Sequence, residues 1–181
     1  MSLGDATGRR QAVLRAMAHP VRLRILSLLT GASLTAADVA RELGLTHANA
    51  SYHLRNLLAA GLIAHAGEER IRGGIAKRYR YDADRDRERD REPFPAHDAD
   101  SQRAMYAAVA DELIRRNAEA DWSVGGTMTD AELWVDPQVW REIRDRIGQA
   151  SRDLHNAAQA PRTPGTIRTS ATIAMFRMIE P

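Results

Sequence analysis

Between residues 35 and 61 the chain is punctuated twice in the same way, and this rhythm constrains its folding more than any other feature. Thr35-Ala36-Ala37-Asp38 has the form of a capping box, in which the threonine oxygen accepts from the N–H of Asp38 and the carboxylate answers at the helix start. Ala36, Val39, Ala40 and Leu43 follow as the buried face of a short helix, and Gly44 supplies a left-handed stop. Leu45 leads to a second cap at Thr46, and the next helix runs to about Ala60 with Ala50, Leu54 and Leu57 turned inward. Gly61 ends it, and Leu62 behind it is placed for the hydrophobic contact of a glycine C-cap.

The flanks fit the same plan. Residues 10–18 read as a short helix with Val13, Leu14 and Met17 on one side, stopped at His19-Pro20 because a residue before proline is pushed out of the α region. Pro20 then suits the first turn of a new helix, in which Val21, Ile25, Leu28 and Leu29 form a stripe at helical period that Gly31 ends. After the capped pair, residues 62–72 and 75–81 read as two strands around Gly73-Gly74. Arg70, Arg72, Lys77, Arg78 and Arg80, with His65 when protonated, make this hairpin basic. Helix, tight glycine turn and helix form a helix-turn-helix, and a basic hairpin behind one is a wing.

Charge divides the chain at the same place. Residues 1–81 carry 12 basic side chains against 5 acidic, net +7, whereas residues 82–181 carry 14 against 19, net −5, so the overall +2 hides a basic and an acidic half. The basic half suggests a polyanion partner, most often nucleic acid. Residues 82–92 are a mixed-charge run closed by Pro93-Phe94-Pro95, with no apolar face to bury, and read as a solvated linker.

Beyond the linker, residues 99–120 read as a helix with Met105, Val109 and Leu113 on one face and Tyr106 beside them. Residues 122–127 and 132–135 read as short strands, and Asp136-Pro137 starts a helix to about Ala158. Its Trp140, Ile143, Ile147, Ala150 and Leu154 alternate spacings of three and four, a packing seam. Residues 166–178 alternate Ile167, Thr169, Ala171, Ile173 and Met175 on one face, as a half-buried strand does. The expected fold class is therefore mainly α with a small β content (α+β). A winged helix-turn-helix domain over residues 1–81 and a linker over 82–98 precede a small helix–strand–helix–strand domain over 99–181.

Leu14-Arg15-Ala16-Met17-Ala18-His19-Pro20-Val21-Arg22-Leu23-Arg24-Ile25-Leu26, the stretch from Asp38 to Arg55, and Ala60-Gly61-Leu62-Ile63 together resemble the winged helix of ArsR-type (ArsR/SmtB-like) bacterial transcriptional regulators. The resemblance spans residues 10–81, and the second half is similar to the C-terminal extension of some longer members. It implies a dimeric, sequence-specific DNA-binding repressor that senses something. Metal-sensing members place cysteines on the first helix of the helix-turn-helix, or Asp/His/Glu sets on a dimerising helix. Here there is no cysteine, and the six histidines show no i, i+4 pair, so neither a metal site nor a cofactor is expected.

The residues expected on DNA follow from the helix wheel. Opposite Ala50, Leu54 and Leu57 stand Asn49, Tyr52, Arg55 and Asn56, while Thr46 and His47 occupy the helix N-terminus, where backbone N–H groups favour phosphate. Asn suits an adenine edge and Arg a guanine edge. Arg70, Arg72 and Lys77 hold the wing against phosphate or the minor groove, and His53, on the helix flank, is expected to pack or cap. The partners are double-stranded DNA and a second copy, with the 99–120 helix and the Trp140 seam as candidate dimer contacts. An effector pocket lined by Met105, Tyr106, Trp122, Met128, Trp134, Trp140, Met175 and Phe176 is set against the plainer reading of these residues as core. No apolar run approaches the ~18 residues that cross a bilayer, and the start lacks a secretory signal, so a cytoplasmic protein without a membrane partner is expected. An enzyme in residues 100–181 and a winged helix used to bind protein are the alternatives. With no Ser/His/Asp set, phosphate loop or His-Glu metal motif in that half, the expectation is no catalysis.

Overall fold

The computed structural model describes residues 3–71, 73–82 and 98–179, with side chains described from residue 8 onward. Helix α1 (Leu3–Met17) turns at Ala18-His19 into α2 (Pro20–Gly31). A two-residue strand β1 (Leu34–Thr35) leads into α3 (Ala36–Leu43) and α4 (His47–Ala59), and the wing follows as β2 (Ile63–Ile71) and β3 (Gly74–Tyr81). Then come α5 (Ala99–Asn117), a 3₁₀ turn (Trp122–Val124) and α6 (Pro137–Asn156). The fold is α+β, with a winged helix-turn-helix in the first half. The three strands form one antiparallel sheet in the order β1-β3-β2.

The caps form as the residues dictate. The Thr35 hydroxyl accepts from the Asp38 N–H, and the Asp38 carboxylate accepts from both the Thr35 N–H at 3.0 Å and its hydroxyl at 2.7 Å. Gly44 takes φ 65°, which lets the Leu45 N–H reach the Ala40 carbonyl at 2.9 Å. At the end of α4, Gly61 takes φ 68°, its N–H donating to Leu58 and that of Leu62 to Leu57, each at 3.0 Å. This is a Schellman closure whose Leu62 is fully buried.

These closures aim the helices at a shared core of Ile25, Leu26, Leu29, Val39, Ala40, Ala50, Leu54, Leu57, Leu62 and Ile63. Ile25, Val39, Ala50, Leu54 and Leu57 have no exposed surface at all. Arg22 fastens the first two helices, its guanidinium donating to the carbonyls of Arg15 and Ala16 in the last turn of α1.

Four expectations need correction. Helix α1 begins at Leu3 rather than at Arg10, because the apolar stripe that betrays a helix in sequence starts only at Val13. A third strand, β1, pairs Leu34 with Tyr79 and Thr35 with Arg78. Two residues are too few to show any alternation. Helix α5 packs against α1 and α2 through Ser101, Met105, Ala108 and Glu112, while Leu113 stays half exposed. The true face is rotated because Glu112, read as polar and outward, is buried and held by Arg115 at 2.9 Å and Arg116 at 3.6 Å.

The fourth correction is the largest. Residues 125–135 and 166–178 have no regular secondary structure and residues 122–124 form a 3₁₀ turn, so the three expected strands of the second half do not form. An alternating pattern gives a segment two faces, but only a partner's backbone makes it a strand. The tail instead lies along α5, with Phe176 edge-on to Tyr106 at 6.0 Å and Arg168 bonded to Glu119 at 2.7 Å. Most of the expected linker, residues 83–97, lies outside the described residues.

Candidate nucleic-acid interface

Helix α4 has one buried and one exposed side. Ala50, His53, Leu54 and Leu57 are buried, which fixes the helix about its axis and leaves Asn49, Tyr52 and Arg55 outward, Tyr52 being 53% exposed. These three stand at i, i+3 and i+6 and share one side. Thr46 caps the helix by accepting from the Asn49 N–H at 3.2 Å, and His47 is exposed beside it. Among the described residues, the Asn49 and Arg55 side chains make no hydrogen bond or salt bridge within the chain. Asn56 departs from the expected face: it is half-buried, and its amide nitrogen is shielded from solvent without a partner.

The wing stands beside this helix, because β2 follows α4 after the Schellman turn. Arg70 and Lys77 are exposed, and neither enters a salt bridge among the described residues. Arg72 lies outside the described residues. Two other basic residues of the hairpin have different duties. Arg78 donates to the Ser33 hydroxyl at 3.1 Å, to the Ser33 carbonyl and to Glu69 at 2.6 Å, so it clamps the wing to the loop before β1. His65 packs on the Tyr79 ring at 5.1 Å. Ile71 and Ile75 project at the wing tip, 50% and 64% exposed. Sequence reasoning took them for ordinary strand residues, although their position beside the Gly73-Gly74 turn already put them at an edge.

Behind α4 lies a pair that sequence reasoning did not connect. The His53 ring packs against His19 at 4.8 Å and edge-on to Tyr52 at 5.2 Å. His19 caps α2 through Nδ1, which accepts from the Val21 N–H at 3.2 Å. Burial, then His19 and Arg22, push the His53 pKa below the ordinary histidine range, and burial followed by Arg22 does the same to His19. Both rings are therefore neutral near pH 7, and the packing role expected for His53 is the one it takes.

The residues expected around an effector are largely apart. Met105 is buried under α5, and Tyr106 meets Phe176. Trp122, Met128 and Trp134 stand in solvent, Met128 being 92% exposed. Trp140 and Met175 are half-buried. An open cavity of about 360 Å³ does exist elsewhere, lined by Leu29 to Ser33 at the end of α2, Arg80 and Tyr81 of β3, and His155, Asn156 and Ala158.

Among the described residues no helix is long and apolar enough to cross a membrane. No curated protein matches the chain. Residues 17–66, which run from the end of α1 to the start of the wing, match the helix-turn-helix domain family. The chain thus carries a winged helix-turn-helix, the fold of a DNA-binding transcription regulator.

Proposed function

We propose that the protein is a cytoplasmic, non-enzymatic transcriptional repressor related to ArsR-type regulators, which binds double-stranded DNA sequence-specifically as a homodimer on an inverted repeat. One observation carries this reading. The outward side of α4 offers Asn49, Tyr52 and Arg55, and among the described residues the Asn and Arg side chains make no hydrogen bond or salt bridge, nor do the neighbouring Arg70 and Lys77 form a salt bridge. A helix held rigid by its buried side, with base-reading side chains opposite, meets the requirements of the major groove. A single such helix reads few base pairs. Two copies on a twofold axis would read half-sites about 34–36 Å apart.

Regulation by a non-metal small molecule completes the proposal. The meeting of Tyr106 and Phe176 along α5 supports it. An effector acts only if it binds two states of the dimer unequally.

Selection of bound duplexes from random DNA, followed by titration of the selected site, tests the reading. Arg55→Ala should lose about 1–3 kcal/mol of discrimination at one base pair of the half-site. Lys77→Ala should weaken all duplexes alike and lower the salt slope by about 1. If neither substitution changes affinity for the selected site, α4 is not the reading helix. A winged helix used to bind protein predicts that outcome.

A further inference from the structure

Helix α6 has no buried residue along its 20 positions, yet it carries an uninterrupted apolar seam. Trp140, Ile143, Ile147, Ala150 and Leu154 occupy alternating a and d positions of a heptad pattern. Trp140 and Ile147 are half-buried, Ala150 is exposed, and Ile143 and Leu154 are 39% and 47% exposed. The helix is about 30 Å long, and Asp136 fixes its start by accepting from the N–H groups of Gln138 at 2.7 Å and Val139 at 3.2 Å. What could cover this face is encoded in the charges beside it. Of the g positions that flank the seam, one is Arg146 and the next is Asp153. They lie two turns apart on one helix, about 10 Å, too far to pair within the chain, and among the described residues Arg146 forms no salt bridge.

We propose that α6 docks antiparallel against α6 of a second copy of this chain, with the twofold axis between residues 148 and 149. This deepens the homodimer reading above and rests on it. In this register Ile147 packs on the partner's Ala150 and Ile143 on the partner's Leu154. Arg146 then lies within about 3 Å of axial offset from the partner's Asp153, and the reverse pair forms symmetrically. Sliding one helix along the other by a heptad in one direction brings Arg146 against its own copy, and in the other direction Asp153 against its own copy. Both place like charges together in a seam that excludes water. A parallel pair sets Arg146 opposite a serine, Ser151, and gains nothing. The charges thus select one direction and one register, and they are self-complementary, as a twofold interface requires.

Sedimentation equilibrium on the full chain at low ionic strength, without DNA, tests the proposal. The wild type should dimerise, and Arg146→Asp and Asp153→Arg should each raise the dissociation constant about tenfold, since two symmetric pairs are reversed. The double variant Arg146→Asp/Asp153→Arg should recover wild-type affinity. Ile143→Asp should weaken the dimer further while leaving the thermal unfolding of the winged helix unchanged. A dimer indifferent to both single charge reversals overturns the α6 pairing and leaves the homodimer reading standing. Singles that weaken the dimer with no recovery in the double overturn the register. A wild-type chain that stays monomeric overturns both the pairing and the homodimer reading, but not DNA recognition by α4.

Discussion

Helices α3 and α6 are the two most amphipathic of the described helices, and they meet opposite fates. Helix α3, of eight residues, sinks Val39 and Ala40 against its neighbours, whereas α6, of twenty, sinks nothing. The contrast extends to their surroundings. The winged helix closes a core in which five side chains have no exposed surface, while Met128, Trp134 and Ile167 are each more than 80% exposed in the second half. An amphipathic pattern states that a face needs covering and is silent on which chain covers it. Where short capped turns return the helices onto one another, the same chain does so. Beyond residue 118, long connections without sheet separate the elements, and many apolar positions stay exposed although α6 touches α2.

The sharpest way to break this comparison is to remove apolar bulk from each half. Leu54→Ala should cost about 2–5 kcal/mol in urea unfolding, because Leu54 is wholly enclosed. Ile143→Ala, under dilute conditions that favour the monomer, should stay within about 0.5 kcal/mol. Equal costs would mean that the two halves share one cooperative core.

Next in size come the caps. Thr35→Ala removes the two hydrogen bonds that the hydroxyl makes with Asp38 and should lower the unfolding free energy by about 0.5–2 kcal/mol. The matching change Asp136→Ala should reduce helical circular dichroism as α6 frays, without moving the unfolding midpoint of the winged helix.

A smaller effect follows pH. Burial holds His19 and His53 neutral in the fold, whereas the unfolded chain protonates both near pH 6.5. Below that point the unfolded state binds more protons, so stability should be level above about pH 7 and decline as pH falls through 6.5 toward the lowered native values. His53→Phe, which keeps a ring against His19, should flatten the decline. Asp38 behaves differently: partial burial raises its pKa, but hydrogen bonds from Thr35 and Arg41 outweigh this and hold it low. Its contribution persists until well into acid, so the two losses separate along a thermal-melt pH series.

The smallest effect sharpens the seam between the halves. A Cβ at Gly31 would overlap the Gln159 carbonyl. Gly31→Ala should therefore dislodge the segment after α6 from the end of α2, seen as faster proteolysis near residue 159, while the melting temperature of the winged helix barely moves.

The legible part of the molecule is the part where local chemistry decides. Thr35, Asp38, Gly44, Thr46 and Gly61 act within a few residues of themselves, so their helices and closures could be read directly. The side of α4 followed from Ala50, Leu54 and Leu57, whose burial leaves Asn49, Tyr52 and Arg55 exposed. What escaped depends on residues distant in sequence. Arg78 reaches Ser33 across 45 positions, and the buried Asn56 amide and the His19–His53 contact arise only once α2 and α4 meet. Residues 166–178 alternate as a strand does, but among the described residues no neighbouring strand pairs with them. That failure is instructive, since periodicity records a preference for two faces and never a hydrogen-bonding partner.

Thr35 holds two posts at once: it caps α3, and it pairs in the sheet with Arg78, whose guanidinium grips Ser33 and Glu69. Helix α3, on which α4 packs, and the wing are therefore joined at one residue, which ties the angle between them. A binding site whose groove width or twist mismatches that fixed angle must itself be bent or unwound to fit. The energy of that distortion, set by how pliable each base step is, would then discriminate among sequences at positions no side chain touches.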